Sequence, residues 1–575
     1  MARVAALQFA SGTDVDLNLA TCLRMIDAAA GHAPDLLVLP EFCNHISWYD
    51  DAAHARAVAV QRDGPFLRAI AQRAQRHGCY IVINVSLRQD AGALTISSLL
   101  YDTAGRLLAS ADKQTLMGHE NTWFARAQTT SEVVATPLGR LAMFPCRDGV
   151  TCETPRGLAL RGAQLFCDSL NSFALDEASL HVPARAAENK VFLVAANKVG
   201  PLIPGHLLQA VSDQTHIPLR FLHGAGESQI VSPLGEVLAR GPRDEEAVVF
   251  AEVDLSLAND KCRPDGTHLF SARRPQLYHP IVEPPLVPPC QSAAQRVPVA
   301  LLAPQSRDES ALVELRDLVA GLPQDTVLAV LPELFCYGEA CGQDLPAEAA
   351  LAQRAIAAMQ SACQQRPDLL LCTSLVLPTA AGFSLSALLV GASGEVARQQ
   401  QLHGCARHAW SVPGAALVPV DLPWGRLALL PGDDAVYPEL VKVAALRGVH
   451  AIAVPFAMQE SWEEACGLRS RAAENRICVI ACTRPLAGRA GLIADLEREF
   501  TLMTQWQDRA FDGYINAPLV TEQAPAATVT VADIHPLAAC DKLMSERTDL
   551  LLDRPWRLSG ALLLDWREKG ESRHD

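Results

Sequence analysis

The chain has 575 residues, 49% of them apolar and 20% charged, which is too long for one compact domain at about 150 residues each. Its formal charge of −15 comes with no basic stripe to neutralise phosphates, which excludes a general nucleic-acid binder. No run reaches the ~18 apolar residues of a membrane span, and the first residues lack a signal peptide's basic head and long apolar core; no membrane role and a cytoplasmic location are expected. Seventeen cysteines, odd in number, irregularly spaced and without a Cys-x-x-Cys pair, fit a reduced interior better than a disulfide framework or zinc ribbon.

In chain order, short apolar or β-branched runs alternate with helical patterns. Strands are predicted at 3–10, 35–40 and 79–87, then at 140–145, 163–168, 191–197, 228–233 and 247–254. Leu19, Cys22, Leu23, Ile26 and Ala30 fall at helical spacing between the first two; Phe66, Leu67, Ile70 and Ala74 do so before the third. Thr103-Ala104-Gly105 marks a hairpin turn, and a further helix is expected near Thr154–Gly162. Alternating strands and helices predict an α/β layered domain with sheets covered on both faces.

The sequence then repeats itself. GRLAMFPCRDGVTCETPRGLALRGAQLF (139–166) aligns without gaps to GRLALLPGDDAVYPELVKVAALRGVHAI (425–452), and the same shift carries Arg185-Ala-Ala-Glu-Asn189 onto Arg471-Ala-Ala-Glu-Asn475. LLVLPEFC (36–43) matches LAVLPELFC (328–336), and Lys261…Thr267…Arg274-Pro275 echoes Lys542…Thr548…Arg554-Pro555. Four matches in the same order mean two copies of one domain. The expected division is 1–280, a Pro-rich linker at 281–296, a second copy at 297–562 and a charged tail at 563–575.

Three chemically potent residues stand where apolar runs stop: Glu41 after DLLVLP (35–40), Lys113 after the second hairpin arm RLLASAD (106–112) and Cys146 after RLAMFP (140–145). Strand ends can converge on one crevice from far apart in sequence. Together they make a complete nucleophilic site, in which the glutamate takes the thiol proton, the cysteine attacks a carbonyl-like carbon and the lysine neutralises the oxyanion. A helix N-terminus beside Cys146 is expected to favour its thiolate.

In this order the residues resemble the nitrilase, or carbon–nitrogen hydrolase, superfamily. The matching segments are Leu39-Pro40-Glu41-Phe42, Asp112-Lys113-Gln114-Thr115-Leu116 and Pro145-Cys146-Arg147-Asp148-Gly149, and the likeness runs on to residue 255. It implies an α-β-β-α sandwich, no metal and no organic cofactor, and it maps the family's second glutamate onto Glu120. It also implies oxyanion or substrate-pocket places, with the Arg147 N–H as oxyanion donor and Ser169 and Asn171 in the pocket. The Arg147 side chain either binds a substrate carboxylate or pairs with Asp148 or Glu153. Cys-Arg-Asp-Gly looks amidase-like, whereas the Lys113–Glu120 spacing followed by Trp123 looks nitrilase-like; the cysteine loop carries more weight because it lies beside the reacting carbon. A small-molecule amide substrate is therefore expected, with nitrile and N-carbamoyl substrates as alternatives. A silent binding protein is disfavoured because all four catalytic positions are filled.

The second copy keeps Glu333 but has Gly432 in the cysteine's place, and residues 297–441 contain no lysine. The lysine position falls within Gln399–Leu402, so this copy is expected to be a pseudoenzyme domain. The resemblance further implies that the two copies pack as an intramolecular pseudo-dimer, with further homo-oligomerisation open. His403, Cys405 and His408 crowd together, but without a fourth ligand they are a weak metal signal. The long stretch 200–224, with His206, His216 and His223, either covers the pocket or is an exposed insertion.

Overall fold

The computed structural model describes residues 1–287, 292–338, 341–497 and 510–567. Part of the expected linker (288–291) and most of the charged tail (568–575) lie outside the described residues. Counted over described residues, the chain forms two compact units. The first joins Met1–Lys261 to residues 510–516 and Leu543–Leu564; the second joins the intervening chain from Cys262 to Ala517–Lys542 and residues 565–567. These bounds cut across the repeat, since the closing stretch of each copy is assigned to the other unit. No helix among the described residues is long and apolar enough to cross a membrane.

The first unit is built on two sheets. One runs in the order Ala247–Val253, Ala2–Gln8, Leu36–Val38, Tyr80–Arg88, Leu94–Tyr101, Leu107–Asp112. The other runs Val237–Arg240, Gln229–Val231, Phe192–Ala196, Leu165–Ser169, Gly139–Pro145, Val133–Thr136. The central strands are parallel, with Ala5 opposite Leu37 in the first sheet and Ala142 opposite Phe166 in the second. Alternate residues of each strand face inward. Val4, Ala6, Leu36, Val38 and Val82 of one sheet pack on Leu141, Met143, Leu165, Cys167 and Val194 of the other. The intervening residues Ala5, Leu7, Leu37, Ile81 and Ile83 pack outward against helices Val15–Ala29 and Pro65–His77. This explains why the strands read as wholly apolar: both faces are covered.

Every predicted strand is found, with each end within two residues of its expected place. The run at 35–40 is a strand only over Leu36–Val38. Pro40 offers no N–H to a ladder, and Phe42 at φ +55° turns the chain away, leaving Glu41 beyond the strand. The predicted hairpin turns where Gly105 N–H donates to Asp102 O at 2.9 Å, and Gly105 supplies the positive φ of 77°.

The second unit repeats both strand orders, with Val297–Leu302 beside Leu328–Val330 in one sheet and Gly425–Leu429 beside Ala451–Pro455 in the other. The residues that mark the repeat hold this frame. Lys261 Nζ donates to Asn189 O and Lys190 O at 2.9 and 2.7 Å, at the C-terminal end of helix Val182–Asn189. Lys542 does the same to Asn475 O and Arg476 O, at 2.8 and 2.7 Å. A cation at these carbonyls opposes the negative helix end. The Arg185–Glu188 ion pair is fully buried and recurs as Arg471–Glu474.

Candidate active site

Glu41, Lys113, Glu120, Cys146, Arg147 and Asn171 line one cavity of about 320 Å³ at the strand ends of the first unit. Glu41 is fixed by its N–H, which donates to Leu170 O at 3.0 Å. Lys113 follows strand Leu107–Asp112 and is 1% exposed. Its Nζ donates to Glu41 Oε1 at 2.8 Å and to Glu120 Oε1 at 3.0 Å. Glu120 opens the short helix Glu120–Trp123, and its Oε2 accepts from the Met117 N–H at 2.8 Å.

Cys146 sits on a sharp bend after strand Gly139–Pro145, at φ +46° and ψ −103°. A non-glycine residue there is strained, and the surroundings impose it. Its N–H donates to Asp168 Oδ1 at 2.9 Å, and the Gly149 N–H returns to its carbonyl at 2.8 Å. The side chain of Asp148 spans back to the lysine loop, accepting from the Gln114 and Thr115 N–H groups, each at 2.8 Å.

The charges are strongly coupled. Burial raises the Glu41 carboxyl to about 7, against the opposing pull of Lys113. Burial would lower the Lys113 ammonium, but Glu120 and Glu41 outweigh it and hold the group well above its usual value. The Cys146 thiol corrects the expectation of a favoured thiolate. Burial, reinforced by Glu41, pushes it well up, and Lys113 and the N–H of Asn171 only partly oppose this. The following helix, Arg147–Val150, is a single turn and cannot supply the field of a long helix.

Two further expectations are corrected or resolved. Ser169 does not line the cavity: its hydroxyl donates to Leu39 O at 2.8 Å in a fully buried brace between the sheets. Strand alternation sends Asp168 toward Cys146 and Ser169 to the opposite face. For Arg147, Asp148 is engaged with backbone N–H groups, and neither Nε nor Nη1 of the guanidinium has a hydrogen-bond partner. Leu202, Ile203 and Leu222 of the 200–224 stretch line the cavity, whereas His206 and His216 are exposed.

The structure adds residues that the sequence reading passed over. Asp168 has its carboxyl pushed well up by burial and by Glu177; it ends the predicted strand 163–168, so its position carried a signal. Lys198 is lowered to about 8 by burial and donates to Phe42 O at 3.1 Å, behind Glu41; the scarcity of lysine, seven in the chain, is the signal that could have found it. Glu177 opens the π-helical turn Glu177–His181 and lines the cavity. Burial lifts it to about 8.

No sequence signal pointed to the remaining wall. Ile515, Asn516, Met544, Ser545 and Glu546 also line the cavity. Asp176 Oδ2 accepts from the N–H groups of Ile515 at 2.6 Å and Asn516 at 3.0 Å. The Gly118 N–H, between Lys113 and Glu120, donates to both Ser545 Oγ at 3.1 Å and Thr548 Oγ1 at 3.0 Å. Thr548 Oγ1 in turn donates to Leu116 O at 2.9 Å. The loop carrying Glu120 is thus pinned by side chains more than 420 residues away in sequence.

In the second unit, Asp434 accepts from the N–H groups of Leu402 and His403, as Asp148 does from Gln114 and Thr115. This equivalence places Gln401 in the lysine's position. A side chain at Gly432 would meet Gln401 Nε2 at 2.7 Å. Arg407 and His408 pair with Glu333, and Arg407 and Arg263 with Asp433. What remains beside Gly432 is a cavity of about 10 Å³. Cys405 hydrogen-bonds His408, while His403 is taken by Asp434 and Tyr278, so the three do not gather as one ligand set. Among the described residues fifteen cysteines form no disulfide, whereas Cys540 is disulfide-bonded.

Residues 3–261 match the carbon–nitrogen hydrolase family. A nitrilase from Pyrococcus abyssi is 27% identical over 264 residues, covering 46% of this chain and 93% of its own. An N-carbamoylputrescine amidase from Arabidopsis thaliana is 24% identical, covering 48% of this chain and 93% of its own. Among solved structures, an amidase from Nesterenkonia sp. is 24% identical, with a TM-score of 0.37 over 45% of this chain and 92% of its own. Over residues 3–261, then, the chain is similar to carbon–nitrogen hydrolases, with nitrilases and amidases among its relatives.

Proposed function

We propose that the first unit is an amidase that hydrolyses a small amide through a thioester on Cys146. The observation that carries this reading is the buried Glu41–Lys113–Glu120 cluster lining the same cavity as Cys146. Because the thiol is neutral before reaction, it needs a base at the moment of attack, and Glu41, at about 7, is poised to serve. The thiol proton passes to Glu41 as Sγ bonds to the amide carbon. The carbonyl oxygen becomes an oxyanion facing the Lys113 ammonium and the Arg147 N–H. The carbon–nitrogen bond then breaks, and Glu41 returns the proton to the departing ammonia or amine. Water attacks the thioester, Glu41 accepts its proton, and the acid leaves with the thiol restored. Glu120 shares Lys113 with Glu41 and keeps it charged.

Nitrile and N-carbamoyl substrates use the same residues and differ in product, and relatives bearing both names match this chain. The second unit has no nucleophile at Gly432 and is non-catalytic in this reading. The test is a screen of amides, nitriles and N-carbamoyl compounds read by ammonia release, with acid, amide and carbon dioxide measured as co-products. Amide turnover that is lost in Cys146→Ala, with the acyl mass trapped on the Cys146 peptide of the wild type, is the expected result. Turnover of nitriles alone, or activity surviving Cys146→Ala, would overturn it.

A further inference from the structure

The cavity holds more hydrogen-bond donors than this chemistry uses. Arg147 is 2% exposed, yet its Nε and Nη1 have no partner. Asn516 is 5% exposed; its Oδ1 is fixed by His181 Nε2 at 2.9 Å, and its Nδ2 has no partner. Both side chains line the cavity. Buried donors in proteins are nearly always paired, so unpaired ones on two side chains that line one cavity mark the place of a ligand's acceptor atoms.

The neighbouring charges are already engaged. Lys113 belongs to Glu41 and Glu120, Asp148 accepts from Gln114 and Thr115, and Asp176 accepts from Ile515 and Asn516. Glu153, Asp148 and Asp553 act on Arg147 through space, without a hydrogen bond to its Nε or Nη1. Glu177 stays protonated to about pH 8, so it leaves the guanidinium's charge standing and adds an O–H donor. The rest of the wall is largely apolar, with Trp48, Phe173, Ile203, Leu222 and Met544.

We infer that the cavity takes an amide whose acyl chain ends in a carboxylate, recognised by Arg147 and by Asn516. This rests on the amidase reading and names its substrate class. A guanidinium and an amide N–H₂ suit a carboxylate, which can accept from both at once. Asn516 comes from the half of the chain that has lost its nucleophile, so that half supplies a specificity-determining residue.

The test uses full-length Cys146→Ala protein, which binds without turnover, and two probes of matched length: butyramide, ending in a methyl group, and succinamic acid, ending in a carboxylate. Calorimetry should show succinamic acid binding at least about tenfold tighter, the scale of hydrogen bonds to a charged group. Adding Asn516→Leu or Arg147→Gln should each shrink that ratio about tenfold, while Arg147→Lys, which keeps the charge, restores part of it. Equal binding of the two probes, tighter binding of butyramide, or a ratio that survives both substitutions would overturn the inference. Steady-state kinetics on the wild type then separate the two claims. Preferential binding of succinamic acid with no turnover of any amide would sink the amidase reading and leave the carboxylate site standing.

Discussion

The N–H of Cys146 donates to Asp168 Oδ1 at 2.9 Å, and this bond holds the cysteine at φ +46°. Burial, reinforced by Glu177, pushes the Asp168 carboxyl well above the usual carboxylate range, so a charge there is disfavoured. Asparagine presents the same oxygen without a charge. Asp168→Asn should therefore keep turnover within about threefold, whereas Asp168→Val, which removes the acceptor and leaves a buried N–H unpaired, should lose about tenfold or more. Amide turnover of the two variants, with thermal unfolding to confirm folding, checks this. A severe loss in Asp168→Asn would mean that the carboxylate charge itself is required.

The rate should follow the ionisation of Glu41. Its carboxyl lies at about 7 and in the proposed mechanism acts as base when ionised, so kcat/KM should fall as pH drops through about 7. The charge of Glu120 helps raise Glu41. Glu120→Gln should then move the acid limb to lower pH while lowering kcat, with the fold and KM retained. Glu41→Ala and Lys113→Ala should each lose about 10² or more. A pH–rate profile that is flat between 5.5 and 8, or an acid limb that does not move in Glu120→Gln, contradicts the assignment.

Ser545 and Thr548 should matter to kcat although neither touches the reacting atoms. Their hydroxyls share the Gly118 N–H and so position the loop between Lys113 and Glu120. The double variant Ser545→Ala, Thr548→Val should lower kcat by about tenfold with little change in KM. Ser545→Thr in the Thr548→Val background, which restores a hydroxyl, should recover much of the loss. A change confined to thermal stability would make these residues structural only.

The second unit should show its own pH dependence of stability. Despite burial, Glu333 and Cys405 raise the His408 imidazole to about 10. A group bound more tightly to its proton when folded stabilises fully below its unfolded value, near 6.5, and loses that contribution as pH rises through about 10. Urea unfolding should therefore weaken between about pH 7 and 10 in the wild type. His408→Gln should flatten that slope and, by leaving Glu333 short of a partner, cost about 3 kcal/mol at pH 7. An unchanged slope in His408→Gln removes the ion pair from the account.

Restoring the missing thiol should not restore chemistry there. Gly432 lies at φ +61°, and a Cβ would meet Gln401 Nε2 at 2.7 Å, beside a cavity of about 10 Å³. Gly432→Cys should lower the unfolding temperature and remain unlabelled by an acyl donor that labels Cys146. Labelling at residue 432, seen by peptide mass, would show that the second cavity opens.

The sequence by itself determined the duplicated frame and singled out the groups proposed to react. Glu41, Lys113 and Cys146 were legible because each closely follows an apolar run, and strand ends are written in such local runs. Glu120 was legible from the family resemblance, and Gly432 from a gap-free repeat. What only the tertiary structure decided depends on contacts that leave no local pattern. Ser169 and Asp168 are adjacent residues of one strand end, yet they face opposite ways, one bracing Leu39 and the other holding Cys146. The thiol's upward shift came from burial beside Glu41, which no motif records. Asn516, Ser545 and Thr548 lie in stretches with no catalytic signature; the first two reach the cavity, and Thr548 the Gly118 N–H beside it, only because the first unit includes chain from the end of the second repeat. Periodicity and spacing report what a segment does with its neighbours in sequence; the partner of a Gly118 N–H some 430 residues away is fixed by packing alone.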